Sequence, residues 1–272
     1  SSPRKLVNAL PGGMSALISI TYGFEGIAVG VNAACSTGLM TLEYAMHHID
    51  DFDYIVVGAS EKSTQHVGSF FFSQLGALAN KSQPFDKNRK GFVLGEGAGC
   101  LILESVEKAM SRKAKIYAML NRVGLANDTS SLTSPDLTGK GMRTSITKAM
   151  VYAGLNKVDS INAHATATLI GDEIEYNAIK SLGLVAPMYS VKSKIGHGIN
   201  ASGILETIYS ILFGMNGHTG YTANLTDKIY DDVNLVTEPV YINKPVITVL
   251  NNSFGFGGRC TSQVIEVFNN KT

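Results

Sequence analysis

A thiol sits at the centre of VNAACSTGLM (31–40), where a β-branched run gives way to small residues and then to a helical pattern. The periodicity predicts a strand over 26–34, a tight turn at Cys35 and a helix over 36–49. A cysteine at a helix N-terminus faces unpaired backbone N–H groups and the positive end of the helix dipole. That setting is expected to lower its pKa from ~8.5 into the range ~3.5 to 7.5, making it a thiolate nucleophile. The same position also suits a small residue buried between a strand and a helix, so Cys35 alone leaves both roles open.

Three later stretches carry further reactive types. In NAHATATLIGDE (162–173), His164 follows a short strand and is trailed by Thr166, Thr168, Gly171 and Asp172. In SVKSKIGHGINASGILE (190–206), Lys192 stands five positions before His197 and Glu206 nine after it. A cation and a carboxylate flanking an imidazole set its orientation and charge state. In NNSFGFGG (251–258), glycines alternate with Phe254 and Phe256, so the backbone can turn sharply and present an N–H to a developing oxyanion. Taken singly, a histidine placed like His164 is more often a hydrogen-bonded core residue, and a Phe-Gly turn more often a packing feature.

The elements that must position these residues alternate in type. Strands are expected at 54–60, 92–105, 116–127, 160–166 and 246–258, with a short strand and loop at 188–198; helices are expected at 141–153, 171–183 and 201–215. Residues 14–22 read as core-like, and 81–91 and 128–140 as polar loops. This alternation implies an α/β protein with mixed or parallel sheets covered on both faces and chemistry in the loops at strand carboxyl ends.

Composition narrows the function classes. Lys plus Arg is 23 against Asp plus Glu 22, which provides no overall basic field for nucleic acid and no polybasic tract for a membrane surface. The most apolar helical stretch, 204–215, contains Glu206 and is too short to span a bilayer. The three cysteines, Cys35, Cys100 and Cys260, are far apart and in no metal-ligand spacing, which fits a reducing compartment and predicts no metal site. Charged residues make up only 17% of the chain, so part of the surface is expected to lie in a subunit interface.

Together with SQPFDKNRKGFVLGEGAG (82–99) and YTANL (221–225), the four stretches resemble the β-ketoacyl-[acyl-carrier-protein] synthases, the elongating condensing enzymes of the thiolase superfamily with a Cys-His-His triad. The likeness runs from about Ser2 to Phe268. It implies a thiolase-like layered αβαβα fold with two related halves, the first incomplete in this chain: residues 1–112 carry the nucleophile and residues 113–272 both histidines. The resemblance further implies that Cys35 accepts an acyl chain from a carrier thioester. His164 and His197 would hold the malonyl thioester carbonyl and stabilise the enolate formed when carbon dioxide leaves. The backbone N–H groups of Cys35 and Phe256 would hold the oxyanion. Lys192 and Glu206 would orient His197, Thr166 and Thr168 would bind the pantetheine arm, and Phe254, Phe256 and Phe72 would line the acyl pocket, with Phe256 as its gate.

The same resemblance implies acyl carrier protein as partner, substrates carried on its phosphopantetheine arm, no further cofactor, a homodimer, and a cytoplasmic, stromal or matrix location. Departures are Leu169, Gly198, Asn200 and the pair Arg259-Cys260, which bear on substrate preference. The family's usual N-terminal third is not seen before Cys35, and a separate associating segment is the expectation. His197 argues against starter-unit synthases, which carry Asn there, and the Lys192/His197 loop against a thiolase using Cys260. A non-catalytic partner subunit such as a chain-length factor, or an inactive fragment, is the competing reading.

Overall fold

Strand Ile55–Lys62 (β1) pairs antiparallel with Glu96–Leu103 (β2) along its whole length, from Ile55 opposite Leu103 to Lys62 opposite Glu96. The structure is a computed structural model describing residues 12–64, 66–231 and 234–272. The start of the expected first half, residues 1–11, lies outside the described residues.

A second, six-stranded mixed sheet is built from Ala118–Leu120 (β3), Gly124–Asn127 (β4), Ser160–Asn162 (β5), Met188–Tyr189 (β6), Val246–Gly255 (β7) and Arg259–Phe268 (β8). Its order is β3-β8-β7-β5-β6, with β4 also on β8. Strand β5 runs parallel to both its neighbours, whereas β7 and β8 form an antiparallel hairpin around Phe256-Gly257-Gly258.

The helices are Gly13–Tyr22 (α1), Thr37–His47 (α2), His66–Gln74 (α3), Val106–Ser111 (α4), Lys140–Tyr152 (α5), Leu169–Ser181 (α6), Lys192–Ile195 (α7) and Ser202–Met215 (α8). Helices α2 and α8 fill the space between the two sheets. Leu39, Leu42 and Ile204 pack with Val57 toward β1, and Ile211 packs with Ile247, Val249, Ile265 and Val267 toward β7 and β8. On the far face of the large sheet, Met142, Ile146 and Ala149 of α5 and Ile174, Ala178 and Ile179 of α6 close the main core with Ile161, Leu250 and Val264. Four of the expected layers are thus traced among the described residues, while the outer face of β2 is open, with Ile102 70% exposed.

Helices α2 and α8 meet backbone to backbone. A Cβ on Gly38 would lie 2.5 Å from the Ile204 nitrogen, and one on Gly203 2.9 Å from the Leu39 nitrogen. These two glycines set the approach that brings the Cys35 turn against the loop carrying His197.

Several expectations are corrected. The strand expected at 26–34 has no ladder partner among the described residues. Its β-branched side chains favour an extended backbone, but a strand exists only through pairing; Ile27 and Val29 instead border a cavity of about 1270 Å³. The core-like stretch 14–22 forms α1, but Met14, Ile20 and Tyr22 are exposed because no described element covers them. The run 116–127 is two strands: Leu120 faces Ile265 and Gly124 faces Ser262, so one extra residue bulges out between them. Helices α3 and α4 were not expected, nor was β8, whose polar Thr261, Ser262 and Gln263 are fully buried.

Candidate active site

Cys35 lies in a single 3-10 turn, Ala34–Ser36, leading directly into α2. The turn is strained at Ala34, with φ 49°, and is fixed by side chains rather than by its own helix. Ser36 Oγ reaches the carbonyl oxygens of Ser253 (3.0 Å) and Arg259 (2.9 Å), while Ser253 Oγ donates to the Cys35 carbonyl at 2.8 Å. Three serine contacts thus tie the Cys35 turn to both arms of the β7–β8 hairpin, which is how Phe256 arrives beside the thiol. Gly255 permits the closeness, since a Cβ there would meet Ala33 O and Ser36 N at 3.0 Å.

The thiol faces His197. Cys35 Sγ lies 3.1 Å from His197 Nε2, and His197 Nδ1 lies 2.9 Å from Ser202 Oγ. All three residues are buried, with Phe92 edge-on to the His197 ring at 5.3 Å between centroids. His164 stands at right angles to His197, the ring centroids 5.5 Å apart, and packs against Phe254 at 5.7 Å. Phe72 of α3 lies 5.3 Å from Phe92 and 6.4 Å from Phe256. Cys35, His164, His197, Phe254, Phe256 and Phe72 therefore belong to one connected cluster.

Behind the rings, Lys192 is ion-paired with Glu206, and both are buried almost completely. Burial pushes the Glu206 carboxyl up to about 7, opposed by the Lys192 charge. Both imidazoles are held well below the usual histidine range, first by burial and then by the Lys192 ammonium, so they are neutral. A neutral ring offers one donor and one acceptor.

The expected depression of the Cys35 pKa is not found: burial pushes the thiol up to about 11. Lys192 and the backbone N–H groups of Phe256 and of Cys35 itself pull the other way without overcoming that burial. The reason is geometric, since the turn is roofed by Phe92 and Ile199. The resting thiol keeps its proton, and His197 Nε2 is the group placed to take it.

Thr166 and Thr168 are half-buried, their hydroxyls 3.3 Å apart at the approach to α6. The backbone there is held by Arg89, which donates to the carbonyls of Thr168 (3.1 Å) and Leu169 (2.6 Å). Asp86 accepts from the N–H groups of Asn88, Thr226 and Asp227, which hold its carboxyl down at about 2 despite an opposing contribution from burial.

Two contributors escaped the sequence reading. Glu175 accepts the N–H groups of His164 (2.8 Å) and Ala165 (2.7 Å) and the Asn252 amide (3.0 Å), so it shapes the His164 loop from below. A glutamate on an amphipathic helix reads as solvated, and its only sequence signal is the three-residue spacing from Asp172, which is also buried. Ser202 gave no signal, because serine at a helix start is ordinarily a cap.

The fold is that of the thiolase-like ketosynthases. A ketosynthase solved in a complex with a type II polyketide acyl-carrier protein superposes with a TM-score of 0.90 at 29% identity, over 98% of this chain and 70% of that one. A β-ketoacyl synthase from Burkholderia phymatum gives 0.88 at 27% identity, over 98% and 68%. The model of the β-ketoacyl synthase N-terminal domain matches residues 1–109 and that of the C-terminal domain residues 117–226. The mitochondrial 3-oxoacyl-[acyl-carrier-protein] synthase of Arabidopsis thaliana is 38% identical, over 94% of this chain and 59% of its own length. The 3-oxoacyl-[acyl-carrier-protein] synthase 2 of Coxiella burnetii is 35% identical, over 95% and 67%. The chain belongs to the β-ketoacyl synthase family. It spans roughly three fifths to two thirds of the length of these curated relatives.

Proposed function

We propose that the protein is a β-ketoacyl-acyl-carrier-protein synthase that elongates a carrier-bound acyl chain by decarboxylative Claisen condensation with a malonyl thioester. The observation carrying this reading is the 3.1 Å approach of His197 Nε2 to Cys35 Sγ, with the His164 ring edge-on to His197 at 5.5 Å between centroids. In the first half-reaction His197 takes the thiol proton, sulfur attacks the thioester carbonyl, and the departing carrier thiolate recovers a proton. The Phe256 and Cys35 N–H groups hold the oxyanion.

In the second half-reaction the malonyl thioester oxygen lies against His164 and His197. Loss of carbon dioxide leaves an enolate held by their N–H donors; its carbon attacks the Cys35 thioester, the carbon–sulfur bond breaks to release Cys35 as a thiolate that regains a proton from water, and the β-ketoacyl chain stays on the carrier that brought the malonyl group. Lys192, anchored by Glu206, keeps both rings neutral, so they donate hydrogen bonds without carrying charge. Thr166 and Thr168 hold the pantetheine arm, while Phe254, Phe256 and Phe72 shape the acyl pocket. Residues 1–112 form the half with the nucleophile and 113–272 the half with the histidines. The working form is a homodimer, and the low charge content and the exposed Phe70 and Phe71 of α3 support a buried interface. The partner is an acyl carrier protein, the carrier-borne substrates need no further cofactor, and the location is the cytoplasm or an organelle matrix or stroma. Among the described residues no helix is long and apolar enough to cross a membrane.

Replacing His164, which takes no part in the first half-reaction, separates the two. His164→Ala is expected to retain acylation of Cys35 and to lose malonyl decarboxylation by about 100-fold or more, read as carbon dioxide release; equal loss of both steps would contradict the assignment.

A further inference from the structure

We propose that Ser202 is a positioning residue whose hydroxyl lets His197 carry its proton on either ring nitrogen, accepting from Nδ1–H before acyl transfer and donating to Nδ1 after it. The inference deepens the condensing reading above and rests on it. Three buried groups lie in file: Cys35 Sγ, His197 and Ser202 Oγ, with separations of 3.1 and 2.9 Å and exposures of 6%, 2% and 1%.

The two half-reactions make opposite demands on the ring. With a free thiol, Nε2 must accept the S–H, so the single proton of the neutral ring sits on Nδ1 and needs an acceptor behind it. Once Cys35 is acylated there is no S–H, and Nε2 must carry a proton to donate to the malonyl carbonyl oxygen. Nδ1 is then bare and needs a donor. A carbonyl behind the ring would serve only the first state and a backbone N–H only the second, whereas a hydroxyl serves both by rotating about its C–O bond. The ring is kept neutral in both states by burial and by the Lys192 ammonium. Between the half-reactions Nδ1 loses a proton to water admitted as the first carrier leaves and Nε2 gains one from it. No proton is consumed overall and no ring flip is required.

The position is rigid enough for this role. Ser202 opens α8, and the next residue, Gly203, is fixed against the backbone of α2.

The test reads the ring directly by nitrogen-15 NMR of His197, in the free protein and in protein whose Cys35 is capped as the methyl disulfide with methyl methanethiosulfonate. The expected result is Nδ1–H in the free protein and Nε2–H in the capped one. Ser202→Ala is expected to lose this switch and to slow decarboxylation by the acylated protein about tenfold, with a melting temperature close to the parent. Ser202→Thr, which keeps the hydroxyl, restores both. One tautomer in both states of the native protein, or a Ser202→Ala protein that still switches, would overturn the proposal. Because the tautomer is read without any carrier substrate, absence of acyl transfer in the native protein would defeat the condensing reading separately.

Discussion

A thiol at about 11 beside a neutral imidazole rests protonated. Since burial favours the protonated form, a thiol unaided by His197 would be ionised to only about one part in ten thousand at pH 7. The rate of Cys35 modification by a small uncharged alkylating reagent should therefore climb steadily from pH 7 to pH 10; a plateau below pH 8 would show a thiolate stabilised as the helix dipole alone suggests. The Lys192–Glu206 pair is the other residue-scale commitment. Glu206→Gln leaves an ammonium buried without its counter-charge, at a cost of about 3 to 5 kcal/mol, measurable as a lower urea midpoint. Removing both charges together, as Lys192→Met with Glu206→Gln, should recover much of that loss. A Glu206→Gln protein as stable as the parent would mean that the pair is not buried as described.

At the scale of elements, placement of the site depends on where α2 and α8 cross. Gly38→Ala forces a methyl group to within 2.5 Å of backbone that cannot rotate away. Relieving that contact should cost about 1 to 3 kcal/mol, seen as a drop of several degrees in melting temperature; an unchanged melting temperature would contradict the crossing. Much of this scaffold was legible. Strands β1, β2, β5 and β7 and helices α2, α5, α6 and α8 follow from period and turn residues, because each has an apolar face of regular spacing. What was not legible has definite causes. Strand β8 hides its role behind Thr261, Ser262 and Gln263, which are buried because Ser145 and the Asn121 carbonyl hydrogen-bond to Ser262 and Gln263, and Thr261 donates to the Ser253 carbonyl. Residues 26–34 have strand composition without a ladder, and pairing is a property of the neighbours rather than of the segment itself.

The whole molecule brings together loops that sequence keeps far apart. Cys35 and His197 are 162 positions apart and Cys35 and Ser253 218, yet both pairs are in hydrogen-bond contact. The candidate residues were legible because their motifs are local: a thiol before a helix, a histidine flanked by lysine and glutamate, and a glycine-phenylalanine turn. Their electrostatics were not, because the elevated thiol pKa and the neutral rings arise from burial by Phe92, Ile199 and the surrounding layers, and burial is a property of the assembled fold. The same assembly explains why Glu175 and Ser202 went unnoticed: each acts through one hydrogen-bond direction that only the folded backbone defines.

The central claim is that Cys35 accepts an acyl group which is then extended. The most direct measurement is intact-mass spectrometry of the protein after incubation with an acyl-loaded carrier protein, followed by addition of malonyl-loaded carrier. The account predicts a mass increase equal to the acyl group, located on the peptide containing Cys35 and absent in Cys35→Ala. That increase should disappear on adding the malonyl carrier, with release of carbon dioxide and transfer of the extended chain to the carrier. A Cys35 that stays unmodified, together with no carbon dioxide from the malonyl carrier, would contradict it.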